Sequence, residues 1–418
     1  MRYTERYKSH HDAARALKRR LAAGTDAADY LTETLNRPAQ TRRAVYLHVP
    51  FCNKVCSFCP FHRPDALTRR TYDAYLIDEI KRISGYAYMR APVNAVNFGG
   101  GTPTALSPAQ MERVLVALKN NFDIPAGTEI SVETSVTELG DEMLDALALN
   151  GVNRLSVGVQ TFDDATRKTL NRRGGGERAI ETIRKAIARG IVNTGIDLIY
   201  NYPDATRAQL ARDLEIIKSL NLSGVSFYSL MLHEGTPLYG RLTDDERRKM
   251  RDTAREYGFF SLILDELTAA GYEMFELTKL IRSNLDRYDY MRIKHERGSC
   301  IAIGHGAGGN LDNYIYHNAF DAPPVSERLP ISARGRVVKP AYMIIDAFIN
   351  ALQRTSVDLG AYSALLGLDL ERSLGGIVSA LARDRLLAAD GQKITLTKQG
   401  LFWGNNIIAE LIDALLAV

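Results

Sequence analysis

Three of the four cysteines in this 418-residue chain fall within eight positions, in the segment YLHVPFCNKVCSFCPFHRP. Cys52, Cys56 and Cys59 form a C-x3-C-x2-C run that sets three thiolates on one short loop. Thiolates are the usual ligands of iron–sulfur clusters. Three of them hold three corners of a [4Fe–4S] cubane and leave the fourth iron open to a small molecule. Two other readings stand beside this one. A tetrahedral zinc site needs a fourth ligand, which His48 or His62 would supply, or the three thiols are unrelated. Cys300 lies some 240 residues further on and reads as a buried small hydrophobe.

Further chemistry-bearing residues follow at intervals. Gly99-Gly100-Gly101-Thr102 comes after an apolar run, where glycines let the backbone approach a ligand without side-chain clash. No G-K-[ST] follows, so a phosphate loop of the Walker type is not supported. Glu133 ends another apolar run, and Gln160, Arg172 and Asp197 follow on or just after the next two. A carboxylate at such a place accepts hydrogen bonds from an ammonium or from ribose hydroxyls, and an arginine suits a carboxylate. Tyr46 and His48 precede the cysteines and are expected on opposite faces of the first strand, with Tyr46 toward a ligand.

The elements that must position these residues alternate. Strands are expected at Ala44–Val49, Ala95–Phe98, Glu129–Thr134, Arg154–Val159, Thr194–Ile199 and Gly224–Leu230. Helical patterns lie between them at Ser107–Asn120, Asp141–Leu149, Asp163–Leu170, Gly176–Arg189 and Arg207–Leu220. Strands separated by helices imply βαβ units and a parallel sheet. Six such units give an α/β fold, an incomplete (β/α)6 barrel with its chemistry at the C-terminal strand ends. The expected organisation is a helical arm over 1–43, the barrel over 44–275, an irregular substrate-proximal segment over 276–335, and a smaller, mostly helical domain over 336–418. In that last part LLAADGQKITLTKQGLFW reads as helix, hairpin, helix, a winged-helix-like element.

Composition narrows the classes. Hydrophobic residues make up 45% and charged residues 24%, ordinary for a globular protein. Fifty-three Lys+Arg against 49 Asp+Glu give +4, too mild to argue for nucleic acid. No stretch approaches the length of a membrane span and no signal-peptide core opens the chain. The expectation is a cytoplasmic protein that binds neither membrane nor nucleic acid.

The motifs, taken in order, are YLHVPFCNKVCSFC, NFGGGTPT, ISVET, GVNRLSVGVQTF, LNRR and GIDLIYNYP. Together they resemble the radical S-adenosylmethionine (SAM) superfamily, and more narrowly the oxygen-independent coproporphyrinogen III dehydrogenase-like family. The resemblance runs from about 44 to 318, more weakly to the end. It implies a [4Fe–4S] cluster on Cys52, Cys56 and Cys59, and two SAM molecules in neighbouring positions. It also implies cofactor contacts at Tyr46, Gly99, Gly100, Gly101, Thr102, Glu133, Gln160, Arg172 and Asp197, with Phe58 near an adenine. A flavodoxin or ferredoxin would supply low-potential electrons.

Subfamily features differ. The dehydrogenase carries a further cysteine where this chain has Phe61, which counts against decarboxylation; the haem chaperones have an aromatic there. The segments LDRYDYMRIKHERGSCIAIGHGAGGNLDNYIYHN and LTKQGLFWGNNI resemble the anaerobic haem-utilisation methyltransferases. That reading implies a radical made from one SAM, methyl transfer from a second, and opening of a haem or porphyrin-type ring with iron release. The alternatives are a methyltransferase or cyclopropanase acting on a planar aromatic natural product, a haem chaperone, and the dehydrogenase itself. Candidate substrate contacts are His305, Cys300 and Arg63, with Arg287, Arg292 and Lys294 as further cations for propionates. Phe402 and Trp403 read as core packing. Purified without oxygen, the chain is expected to carry about four irons, and Cys56→Ser to lose both cluster and SAM cleavage, as iron, sulfide and 5′-deoxyadenosine assays will show.

Overall fold

In each central strand one set of alternate residues is apolar and the other small or polar. Successive strand residues face opposite sides, so one face of the resulting sheet is greasy and the other wet. The computed structural model, which describes residues 2–17, 28–60, 69–318 and 335–417, has this form. Val45, Leu47, Val49, Val96, Phe98, Val132, Leu155, Val157, Ile196, Leu198, Val225 and Phe227 are buried in one continuous core with the helices. Tyr46, Asn97, Glu133, Ser156, Asp197 and Ser226 alternate with them and face the inside.

Six parallel strands carry this pattern: β1 (Arg43–Val49), β2 (Ala95–Gly100), β3 (Glu129–Ser135), β4 (Arg154–Gln160), β5 (Asn193–Tyr200) and β6 (Gly224–Ser229), paired in that order. The helices Tyr72–Ser84, Pro108–Asn121, Asp141–Leu149, Gly176–Ala188 and Arg207–Leu220 connect them. Local chemistry starts two of these. Ser107 with Gln110 and Thr206 with Gln209 each form a capping box, which satisfies the free N–H groups of a first turn. The expected strands and four of the expected helices agree with these to within a residue or two at each end; the fifth expected helix, Asp163–Leu170, is the short helix Asp164–Thr169, and Tyr72–Ser84 is not among those expected.

The 276–335 stretch differs from the expectation of irregular chain. β7 (Glu273–Glu276) and β8 (Lys279–Ile281) pair antiparallel beyond β6. β9 (Ser299–Ile303) runs parallel to β1, with Arg43 opposite Ser299 and Leu47 opposite Ile303. β10 (Gly308–Leu311), β11 (Tyr314–His317) and β12 (Arg336–Val337) continue that edge. These runs are short and rich in Gly, Asn and Tyr, so their alternation is too brief to read in sequence. At the C-terminal side a small sheet of β13 (Ser356–Asp358), β14 (Leu387–Asp390) and β15 (Lys393–Leu396) packs with the helices Pro340–Gln353, Leu370–Arg383 and Gly404–Leu415.

Two ionic arrangements fasten the barrel. At the N-terminal strand ends Arg154 is fully buried. It donates to both Asp286 carboxylate oxygens at 3.0 and 2.9 Å and to Ser131 Oγ at 3.0 Å. Its guanidinium lies 3.8 Å from the Tyr288 ring centroid. Burial alone would raise the Asp286 carboxyl, but Arg154 holds it below its ordinary value. Glu129 accepts from the Asp289 and Tyr290 N–H groups, 3.0 and 3.2 Å away, at the start of the helix Asp289–His295. At the other end the segment 2–8 works as a strap. Arg6 reaches Glu256, Tyr200 and the Phe402 carbonyl, while the Asn405 and Asn406 amides grip the Tyr7 and Glu5 carbonyls at 3.1 and 2.9 Å. Phe402 and Trp403 are buried, in line with their core-packing reading.

Removing one partner of a buried ion pair strands the other charge, at about 3–5 kcal/mol. Asp286→Ala is therefore expected to lower unfolding free energy by that amount, measured by urea denaturation followed by circular dichroism.

Candidate active site

The cysteine loop leaves the C-terminal end of β1 with no regular structure of its own, so neighbours must hold it. On one side Gly101 N–H donates to Val49 O at 2.9 Å and Thr102 N–H to Phe51 O at 2.7 Å. On the other, Ser57 N–H donates to Leu170 O at 3.0 Å, Asn171 Nδ2 to Val55 O at 2.6 Å, and Leu238 N–H to Ser57 O at 2.8 Å. Cys52 Sγ lies 3.4 Å from Thr102 Oγ1, and Arg172 Nη1 donates to Cys56 Sγ at 3.1 Å. Cys52, Cys56 and Cys59 are all partly exposed.

The glycine turn explains itself here. A Cβ on Gly101 would stand 2.6 Å from Phe51 O and 3.1 Å from Cys52 Sγ. Gly100 takes φ +114, which favours glycine, and a Cβ there would strike the His48 ring at 2.8 Å. The glycines make room for the cysteine loop, His48 and, at Gly99, the Glu133 carboxylate. The ligand-approach reading did not foresee this use.

Inside the barrel two carboxylates lie near one another, on β3 and β5. Glu133 receives Asn97 Nδ2 at 3.3 Å, while the buried Asn97 Oδ1 has no hydrogen-bond partner among the described residues. Asp197 receives Ser156 Oγ at 3.2 Å. Burial and then the nearby Asp197 charge push the Glu133 carboxyl up to about 7. Two carboxylates and an orphaned carbonyl form a site short of a positive donor. Gln160 ends β4 at φ 72 beside a register shift, where Gln160 Nε2 and Arg172 Nη2 crowd the space above Gly158. Arg172 also donates to Gly158 O. Glu133, Gln160, Arg172 and Asp197 are thus brought together at the strand ends beside the loop. Phe58 packs on a separate apolar cluster that includes Leu170, Ile199, Leu230 and Leu238.

Tyr46 and His48 share a face, contrary to the expectation of opposite faces, because strand residues two apart point the same way. Tyr46 Oη lies 2.9 Å from His48 Nδ1, and the Tyr46 ring stacks with Tyr290 at 6.1 Å. Burial, with His317 nearby, lowers the His48 imidazole to about 4, so it is neutral at pH 7.

The substrate-contact expectations scatter. His305 stacks on Tyr75 of the outer helix at 4.3 Å, and its N–H donates to Tyr72 Oη at 2.9 Å. Cys300 is buried opposite Ala44, at the far end of β1 from the cysteine loop. Arg63, Phe61 and His62 lie outside the described residues. Arg287 pairs with Asp289 at 3.2 Å, Arg292 donates to Arg287 O, and Lys294 lies over the Tyr290 ring. Sequence reasoning missed Asn97, Tyr228 and Lys279. Lys279 is buried, in register with Ser226 and on a level with Asp197. Its ammonium lies 3.2 Å from Ser226 Oγ and 4.9 Å from the centre of the Tyr288 ring. The available signal was a lysine at an inward position of a short alternating run, LTKLI.

Among the described residues no three His, Cys, Asp or Glu side chains sit closely enough to hold a single metal ion. The donor set is three thiols on one tethered loop, with a donor-poor acidic interior beside it. That set fits a cubane with one corner left for a cationic sulfonium ligand bearing an ammonium group. Among the described residues no helix is long and apolar enough to cross a membrane.

Such a loop at the mouth of a parallel barrel defines a radical SAM protein, and residues 46–215 match the model of the radical SAM superfamily. The chain is 30% identical over 389 residues to the anaerobilin synthase of Escherichia coli O157:H7, covering 91% of this chain and 86% of that one. It is 27% identical to the heme chaperone HemW of Lactococcus lactis, over 89% and 98%. It is 26% identical to the oxygen-independent coproporphyrinogen III oxidase of Bradyrhizobium diazoefficiens, over 92% and 90%. The solved coproporphyrinogen III oxidase of Escherichia coli shares the fold, with TM-score 0.78 at 23% identity over 99% of this chain and 97% of that one. The chain belongs to this coproporphyrinogen oxidase-like family of radical SAM enzymes, which use a [4Fe–4S] cluster and SAM.

The proton on Glu133 favours the folded chain because its folded value lies above the ordinary 4.5. That contribution is complete below pH 4.5 and is lost as pH rises through 7. The ligand-free protein should lose stability between about pH 4.5 and 7, and Glu133→Gln should flatten that slope in denaturant titrations while weakening SAM binding more than tenfold.

Proposed function

We propose that this protein is a radical SAM enzyme that methylates and opens a haem or porphyrin-type ring with release of iron, using two SAM molecules. The observation that carries the reading is the end-to-end likeness to an anaerobilin synthase at 30% identity. Phe61, in place of the dehydrogenase's further cysteine, counts against loss of propionate carboxyls. The GAGGN segment counts for the same reading. Gly309 lets β10 lie against Cys300 O and Ala302, where a Cβ would come within 2.4 and 2.8 Å. This pattern differs from the chaperones' and seats β10 against β9, the strand beside β1.

Cys52, Cys56 and Cys59 would hold the cluster, and cluster and SAM together supply one-electron carbon-radical chemistry. The chain's own residues do the rest. Glu133, Asp197 and Asn97 Oδ1 receive the ammonium and ribose hydroxyls of a bound SAM. Arg172 pins Cys56 and the end of β4. Thr102 sits against Cys52. Tyr46 and neutral His48 form a hydrogen-bonded wall that holds its proton at pH 7. Tyr228, whose side of β6 faces the interior and which is 42% exposed, offers an aromatic face to a flat ring. Lys279 is the interior cation within reach of this layer, suited to a propionate.

The test is anaerobic turnover with reductant, SAM and haem. The expected result is SAM-dependent bleaching of the haem band, free iron, 5′-deoxyadenosine, and a tetrapyrrole heavier by one methyl group. Haem recovered intact would establish a carrier. Coproporphyrinogen III losing two carboxyl groups would establish the dehydrogenase.

A further inference from the structure

An imidazole nitrogen suits iron and is a usual ligand for haem iron in proteins. Seven of the eight histidines lie among the described residues, and most are already committed. His48 is bonded to Tyr46, His305 stacks on Tyr75, and His10 and His11 stack on each other at 4.1 Å. His295 is buried beside Glu276 at 3.7 Å. His233 is half-buried in the turn after β6, where its carbonyl receives Thr236 N–H and Oγ1 at 3.2 and 2.7 Å. His317 differs from all of these. It is exposed, and among the described residues its side chain has no hydrogen bond, ion pair or ring contact.

The fold puts this imidazole at the mouth of the barrel. β9 is parallel to β1, and β10 and β11 each reverse direction. β11 therefore runs with β1, and its last residue, His317, emerges at the end that carries the cysteine loop. Register sets the face. Asn310 pairs with Cys300, which packs with Tyr290 and Tyr46 inside the barrel. Gly308 lies two residues before Asn310 and so shares its side of the sheet. The direct partner of Gly308 across the ladder is His317, and directly opposite residues share a face. His317 is also near enough to His48 for the charge of one imidazole to act on the other. Gly308 shapes the pose of the ring. A Cβ there would lie 2.9 Å from His317 Nδ1 and 3.3 Å from its Cε1. The Nδ1 edge thus rests over the bare glycine, and Nε2, further from it, is left to a ligand.

We propose that His317, through Nε2, is an axial ligand to the iron of the haem-type substrate, with Gly308 as the seat of its ring. The inference rests on the haem reading above and deepens it. The bond uses the lone pair of the neutral imidazole, so no electron or proton is transferred and no co-reactant is needed. It turns one face of the macrocycle toward β11, and iron freed by ring opening departs from this nitrogen.

The experiment titrates ferric haem, and metal-free protoporphyrin IX as its control, into the cluster-loaded full chain. Haem should bind at least about tenfold more tightly than the metal-free ring, since it alone gains a ligand bond. His317→Ala and His317→Gln should each weaken haem at least about tenfold and shift its Soret band. Neither should change the affinity for the metal-free ring or the cluster absorbance. Added imidazole should restore the parent band in His317→Ala. Gly308→Ala, which keeps the imidazole but fills its seat, should weaken haem severalfold. His233→Ala and His11→Ala should leave band and affinity unmoved. His317 variants with an unchanged haem band and affinity, or with equal losses for both rings, overturn this proposal alone. A cluster-loaded chain that binds neither haem nor the metal-free ring overturns the haem reading and this proposal with it.

Discussion

The ten residues from Phe51 to Pro60 carry the thiols yet contain neither helix nor strand, and a cubane tolerates little wandering of its ligands. The loop is held instead by hydrogen bonds to three separate segments, Gly101-Thr102 after β2, Leu170–Asn171 after β4 and Leu238 after β6. Each anchor forms only where the barrel brings strand ends together. The glycine turn allows the close approach on one side, and Arg172 ties thiol and strand on the other. Cluster geometry is in this sense a property of the whole sheet.

The same sheet sets the electrostatics. Its outer face is apolar and covered by helices, so stability comes from area removed from water. That leaves the inner face free to be polar. The charges there are sorted by depth. At the N-terminal ends Arg154, Asp286 and Glu129 satisfy one another and close the barrel. One layer up, the Glu133 and Asp197 carboxyls and the orphaned Asn97 Oδ1 have only the buried Lys279 on the same level as a cation. A barrel whose lower layer balances and whose upper layer does not has a rigid floor and a ligand-dependent roof.

The C-terminal part and the N-terminal strap act on this roof from outside. The Asn405 and Asn406 amides hold the segment 2–8 across the ends of β5 and β6, where Arg6 meets Tyr200 and Lys8 donates to Leu230 O at 3.3 Å. The LFWGNN motif, one basis for the haem-utilisation resemblance, therefore works structurally by locking the chain's beginning against its end.

What the sequence determined by itself was local. The cysteine spacing defines the donor set, and the alternation of apolar and polar residues defines six strands, and periodicity most of the helices between them, to within a residue or two, because both depend on neighbours in the chain. Glu133, Gln160, Arg172 and Asp197, the candidate cofactor contacts, were legible as motif ends. Other features needed the tertiary structure. β9 pairs with β1 across some 250 residues, Cys300 lies at the wrong depth to meet the thiol loop, and His305 stacks outward on Tyr75. Tyr46 and His48 share one wall, and Lys279 and Asn97 join the interior. No local pattern reports on these, since depth within a barrel and pairing between distant strands are set by closure of the sheet.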